Sequence, residues 1–130
     1  MTARRYFTVE EANALLPDLR MVLIAFRAGR RQITEDRAEL AGLGELPKLN
    51  GQTARASELA ERIANEVHAI REGLEGLTAL GVEVKDLDSG LVDFPHWREG
   101  RVVYLCWRLG EERIAFWHDL DAGFRGRQPL

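Results

Sequence analysis

The chain has 130 residues, 45% of them hydrophobic and 30% charged, with a formal net charge of −3. That length and balance fit one globular domain spanning 1–130, and the mild negative charge excludes a broad basic field for gripping nucleic acid. A single cysteine excludes an internal disulfide framework and fits a reducing, cytoplasmic setting. No apolar run nears the roughly 20 residues of a membrane span, and no apolar signal core follows Met1-Thr-Ala-Arg-Arg-Tyr6.

Thr8-Val-Glu-Glu11 has capping-box spacing, so a short helix is expected from Val9 to Leu15. Pro17 then kinks it or starts a second helix reaching Leu40, along which Leu19, Leu23, Phe26, Ile33 and Leu40 recur at helical spacing. Gly29 interrupts that stripe, and close approach of a neighbouring helix accounts for it. Gly42 to Gly51 supplies turn residues and reads as a loop. Thr53 caps the next helix, where Leu59, Ile63, Val67, Ile70, Leu74 and Leu77 step by 4, 4, 3, 4 and 3 up to Leu80. Two helices of roughly 35–40 Å joined by one modest loop make an antiparallel hairpin over residues 8–80.

After Gly81 the period becomes strand-like. Val82 and Val84 alternate with Glu83 and Lys85, Asp88-Ser-Gly90 turns, and Leu91–Phe94 returns until Pro95 stops it. Val102–Trp107 is apolar on both faces and reads as a central strand. Arg108-Leu-Gly-Glu111 is a tight turn, and Arg113–His118 runs back. The fold class is therefore α+β: the hairpin, with its short N-terminal helix, packs on an antiparallel meander of three to four strands, and a tail lies back on the body over residues 81–130.

Cys106 and His118 suggest a thiol–imidazole site, but the expected register separates them. A two-residue turn sets Cys106 across from Arg113, and a three-residue loop sets it across from Glu112. His118 then lies roughly 17–20 Å away at about 3.3 Å per residue, too far for one zinc ion. Cys106 reads as a small buried hydrophobe. The same registers place His118 beside Gly100 or Arg101, so Asp93, His96, Arg101, His118, Asp119 and Asp121 gather on one rim. The favoured reading of that rim is a lattice in which Arg101, Arg125 and Arg127 neutralise the acids. The alternatives are a divalent metal on His96, His118 and Asp93, and a histidine–carboxylate base pair. Arg101, Arg125 and Arg127 also suit an anionic ligand. Asp86 and Asp88 cap a turn rather than bind calcium. The aromatic residues of the tail pack in a core, and His68 is a surface histidine.

Phe7-Thr-x-Glu-Glu-Ala-Asn-x-Leu-Leu-Pro17, Val84-Lys-Asp86, Gly90-Leu-Val-Asp-Phe-Pro95, Val103-Tyr-Leu-Cys-Trp107, Trp117-His118 and Gly123-Phe-x-Gly-Arg-Gln-Pro129 resemble a small bacterial family, domain of unknown function 2203. The resemblance covers nearly the whole chain, and it implies a prokaryotic cytoplasmic domain without supplying an activity, cofactor or catalytic residue. The reading that follows is an interaction module that self-associates, a dimer by default, with neither nucleic acid nor membrane as partner. The rival is a metal-dependent, hydrolytic protein working at the Asp93/His96/His118 rim.

Overall fold

The computed structural model describes residues 5–44 and 50–130. Among them two long helices, α1 Val9–Gly44 and α2 Asn50–Leu80, precede five strands: β1 Glu83–Asp86, β2 Leu91–Arg98, β3 Arg101–Arg108, β4 Phe116–His118 and β5 Gln128–Pro129. The strands lie in sequence order, each antiparallel to the next. The architecture is α+β, a helical hairpin with an antiparallel meander, and the tail adds one strand beyond the four expected. No helix among the described residues is long and apolar enough to cross a membrane.

The capping box forms. The Thr8 amide donates to Glu11 Oε1 at 2.9 Å, and the Glu11 amide donates to Thr8 Oγ1 at 3.1 Å. Pro17 does not start a second helix, because α1 runs through it from Val9 to Gly44 as one continuous element. Ala12, Leu16, Leu19, Leu23 and Phe26 form a buried stripe that crosses the proline without interruption. Packing along that stripe outweighs the roughly 3 kcal/mol that an interior proline costs. Helix α2 begins at Asn50, so Thr53 lies inside it rather than capping it. Of the expected loop, residues 45–49 lie outside the described part of the chain. The two helices approach closely where side chains are missing. A Cβ on Gly73 would collide with the Phe26 ring, and one on Gly29 would come within 2.7 Å of the Glu66 carboxylate.

Alternation along the strands divides the sheet into two faces. Val92, Phe94, Val103, Leu105, Trp107 and Trp117 lie on the inner face and form one core with Phe7, Leu16, Leu19, Leu23 and Phe26. Phe7 and Phe94 meet edge to face with centroids 5.3 Å apart. Strand β2 does not stop at Pro95, as expected, but continues to Arg98. The Phe7 amide donates to the Pro95 carbonyl at 2.7 Å, beyond the end of β1, so the Pro95 backbone points away from β3. The missing proline N–H therefore removes no bond from the β2–β3 ladder.

The β3–β4 connection corrects the expected register. A turn does form at Arg108–Glu111, with the Glu111 amide donating to the Arg108 carbonyl at 2.9 Å. The chain does not pair on leaving it. Residues 112–115 detour to α1, where the Ile114 amide donates to Asn13 Oδ1 at 2.8 Å, the Ile114 side chain enters the core, and Arg20 holds the Glu112 carbonyl. Pairing resumes with Cys106 opposite Phe116 and Tyr104 opposite His118. His118 thus lies across from Tyr104, not beside Gly100 or Arg101.

Candidate functional site

The outer face of the sheet carries chemistry where the inner face carries hydrocarbon. Asp93 on β2 sits directly opposite Cys106 on β3. His118 on β4 lies diagonally from Cys106, and its ring reaches over the central strand to Asp93, Nε2 to Oδ1 at 3.1 Å. The side-chain donor atoms of Asp93, Cys106 and His118 all lie within 4.8 Å of one another. The separation of roughly 17–20 Å expected between thiol and imidazole is therefore wrong. All three residues are buried, with 2%, 0% and 2% of their surfaces exposed.

Hydrogen bonding fixes how the imidazole presents itself. The Asp119 carbonyl lies 2.7 Å from His118 Nδ1 and can only accept, so Nδ1 carries the proton. In a neutral ring, Nε2 then aims a lone pair at the Asp93 carboxyl. Two acceptors face each other at that distance only with a proton or a cation between them. Burial pushes the Asp93 carboxyl above its ordinary range, although the charge and hydrogen bond of His118 oppose the shift. Burial, followed by the charge of Asp93, pushes the Cys106 thiol up to about 12. In the metal-free chain the thiol keeps its proton, and the Asp93–His118 pair shares one. A ring held through Nδ1 by a backbone carbonyl is the usual setting of a metal-ligating histidine.

A cleft of about 280 Å³ opens over Asp93 and His118, bounded by Lys85, Leu91, Tyr104 and the 120–124 segment of the tail. Lys85 is the extra residue of a β-bulge, since Val84 pairs with Val92 and Asp86 with Leu91. A bulge re-aims its side chain, and here the ammonium lies 4.8 Å from the centroid of the Tyr104 ring. Tyr104 donates to Glu83 at 2.9 Å, and Glu83 also pairs with Lys85 at 2.9 Å.

The tail is pinned at both ends. Arg101 pairs with Asp119 at 2.6 Å. Arg127 pairs with Glu111 at 2.6 Å, donates to the Cys106 carbonyl at 3.0 Å, and stacks on Phe116 and Phe124. Burial works against the Glu111 charge, but the bonds from Arg127 and the Arg108 amide prevail and hold the carboxyl below its ordinary value.

Of the six rim residues expected, Asp93 and His118 meet, Asp121 lines the cleft over them, and Asp119 contributes its carbonyl and an ion pair to Arg101. His96 does not join them. Three residues from Asp93 on a regular strand, it lies on the other face, with Nδ1 2.6 Å from the Phe7 carbonyl. His96 is therefore not grouped with His118 and Asp93, and the three residues whose donor atoms could hold a metal ion are Asp93, Cys106 and His118. Arg101, Arg125 and Arg127 do not form one anion site. Arg101 starts β3, whereas Arg127 lies against Cys106 and Glu111, and Arg125 is an exposed residue of the 3-10 turn Phe124–Gly126. The expected register sets Cys106 aside, and the observed register brings it back, while Lys85 and Tyr104 carry no expectation of a site role. The available signal was parity, because Tyr104 and Cys106 share one face of an otherwise apolar strand.

No curated protein and no solved structure matches the chain. The family model described as an uncharacterized conserved protein, domain of unknown function 2203, matches residues 5–130, and the chain belongs to that family.

Proposed function

We propose that Asp93, Cys106 and His118 bind one divalent transition-metal ion of the zinc class, and that the metal works on a small substrate entering the 280 Å³ cleft. The observation behind this reading is the convergence of three buried donors, with the imidazole already oriented by the Asp119 carbonyl. A carboxylate, a thiolate and an imidazole form a ligand set suited to zinc, and ligands at about 2.0–2.3 Å from the ion need only small shifts from the present spacing. Asp93, Cys106 and His118 would hold the ion with three protein ligands, the number typical of catalytic rather than closed structural sites, and Asp93 and His118 also line the cleft. The chemistry supplied there is activation of water for hydrolysis. A reducing, cytoplasmic compartment belongs to the same reading, because the thiol must stay reduced to serve as a ligand.

Calorimetric titration of chelator-stripped protein with Zn²⁺ tests the proposal. One ion per chain is expected, with proton release on binding as the thiol and the shared proton are displaced. Cys106→Ser, Asp93→Asn and His118→Gln should each weaken binding by at least about tenfold, while His96→Gln leaves it unchanged. Binding that is absent, or indifferent to these three substitutions, rules the proposal out.

A further inference from the structure

The second inference lies on α1 and is independent of the metal reading. The face of α1 turned away from the sheet is not polar. Ala14, Pro17, Met21, Ile24 and Ala28 recur at steps of 3, 4, 3 and 4, and all are exposed. Met21 and Ile24 are 72% and 57% exposed, unusual for large apolar side chains. They lie opposite the stripe of Leu16, Leu19, Leu23 and Phe26 that meets the core. Steps of 3 and 4 make a heptad seam, the pattern by which one helix packs along another. The same spacing extends the seam to Glu10 at one end and Arg31 at the other, both exposed.

Those two charges select the occupant. Two copies of α1 running antiparallel about an axis at Met21 set Glu10 of each opposite Arg31 of the other, because the two positions are nearly equidistant from the centre. Pro17 then faces Ile24, and Met21 faces its own copy. A parallel arrangement would stack Glu10 on Glu10 and Arg31 on Arg31. We infer that the exposed seam of α1, from Glu10 to Arg31, is a homodimer interface in which two chains pack antiparallel with twofold symmetry. An isologous contact of this kind needs only a patch complementary to itself, and a seam acidic at one end and basic at the other meets that requirement.

Sedimentation of chelator-treated protein over a wide concentration range tests the inference and excludes any metal-bridged association. Wild-type mass should rise toward the dimer with concentration, and Ile24→Asp should weaken the dimer by about tenfold or more. Because Ile24 is exposed, melting of the monomeric Ile24→Asp chain should match that of monomeric wild type. Arg31→Glu should weaken the dimer, and Glu10→Arg in the same chain should restore it. The sole native cysteine is buried, so an introduced thiol reports geometry. Met21→Cys should form a disulfide dimer on mild oxidation, and Glu10→Cys should not. A wild-type chain monomeric up to about 1 mM would overturn the inference. So would a dimer indifferent to Ile24→Asp, no rescue by the charge swap, or crosslinking at Glu10 rather than Met21.

Discussion

The two faces of the sheet are built from the same strands and are buried for different reasons. The inner face buries Val92, Phe94, Val103, Leu105, Trp107 and Trp117 against α1, and burial of hydrocarbon stabilises the fold. The outer face buries a carboxyl, a thiol and an imidazole beneath a thin tail segment. Removing such groups from water costs free energy that their mutual hydrogen bonds only partly offset. An apolar trio would suit packing on that face better. The contrast separates hydrocarbon whose burial stabilises the fold from a polar trio whose burial costs stability, and substitutions on the two faces should behave in opposite ways.

The largest effect belongs inside. Trp107→Ala should lower stability by about 3–5 kcal/mol in denaturant melts, through the cavity it leaves and the lost bond from its indole N–H to the Glu111 carbonyl. On the outer face, Asp93→Leu alone should cost about 1–3 kcal/mol in metal-free protein, because His118 loses its partner. Combining it with His118→Leu should recover much of that loss, since removing both members of a buried polar pair is close to neutral. Both outer variants should lose stabilisation by Zn²⁺, whereas Trp107→Ala should retain the increment. A double variant as damaged as Trp107→Ala would show that the outer face is structural after all.

Arg127→Ala sharpens the comparison by lifting only the cover. It removes a charged bond to Glu111 worth about 1.5–3 kcal/mol before solvent screening, and the effect should be local. Hydrogen exchange should accelerate at the Leu130 amide, which donates to the Ala115 carbonyl, while amides of β2 and β3 stay protected. Acid should act on the same contact. Glu111 has a folded-state value below its unfolded value of about 4.3, so its contribution is complete above that value and lost as pH falls through the folded one. Tail exchange should therefore quicken below about pH 4, and Arg127→Ala should abolish that sensitivity. The smallest effect lies away from both faces: Thr8→Ala should cost about 1 kcal/mol by removing the cap of α1, with no change in metal affinity.

Local patterns made most of the fold legible in the sequence. The capping box at Thr8 and Glu11, the apolar stripe of α2 and the alternation after Gly81 each follow from short-range chemistry, and each corresponds to an observed element. Pro17 and Pro95 misled for one reason. Pro17 suggests a kink or a new helix and Pro95 a stop, whereas burial on both sides of Pro17 and an outward-pointing backbone at Pro95 let the elements continue. Reading β2 through Pro95 would have put Asp93 and His96 on opposite faces by parity. The approach of Cys106 to His118 could not be read locally. It depends on the 112–115 detour, held by a hydrogen bond between Ile114 and Asn13, 101 residues apart.

Cobalt substitution tests the central claim most directly, because its spectrum reports both the ligand type and the geometry. Adding Co²⁺ to chelator-stripped wild-type protein under reducing conditions should produce the visible bands of a four-coordinate ion with a thiolate-to-cobalt charge-transfer band. Cys106→Ser should lose the charge-transfer band, and Zn²⁺ should bleach the wild-type spectrum at one equivalent. A wild-type spectrum no different from that of cobalt in buffer would contradict the account and leave Asp93, Cys106 and His118 as a buried hydrogen-bonded cluster only.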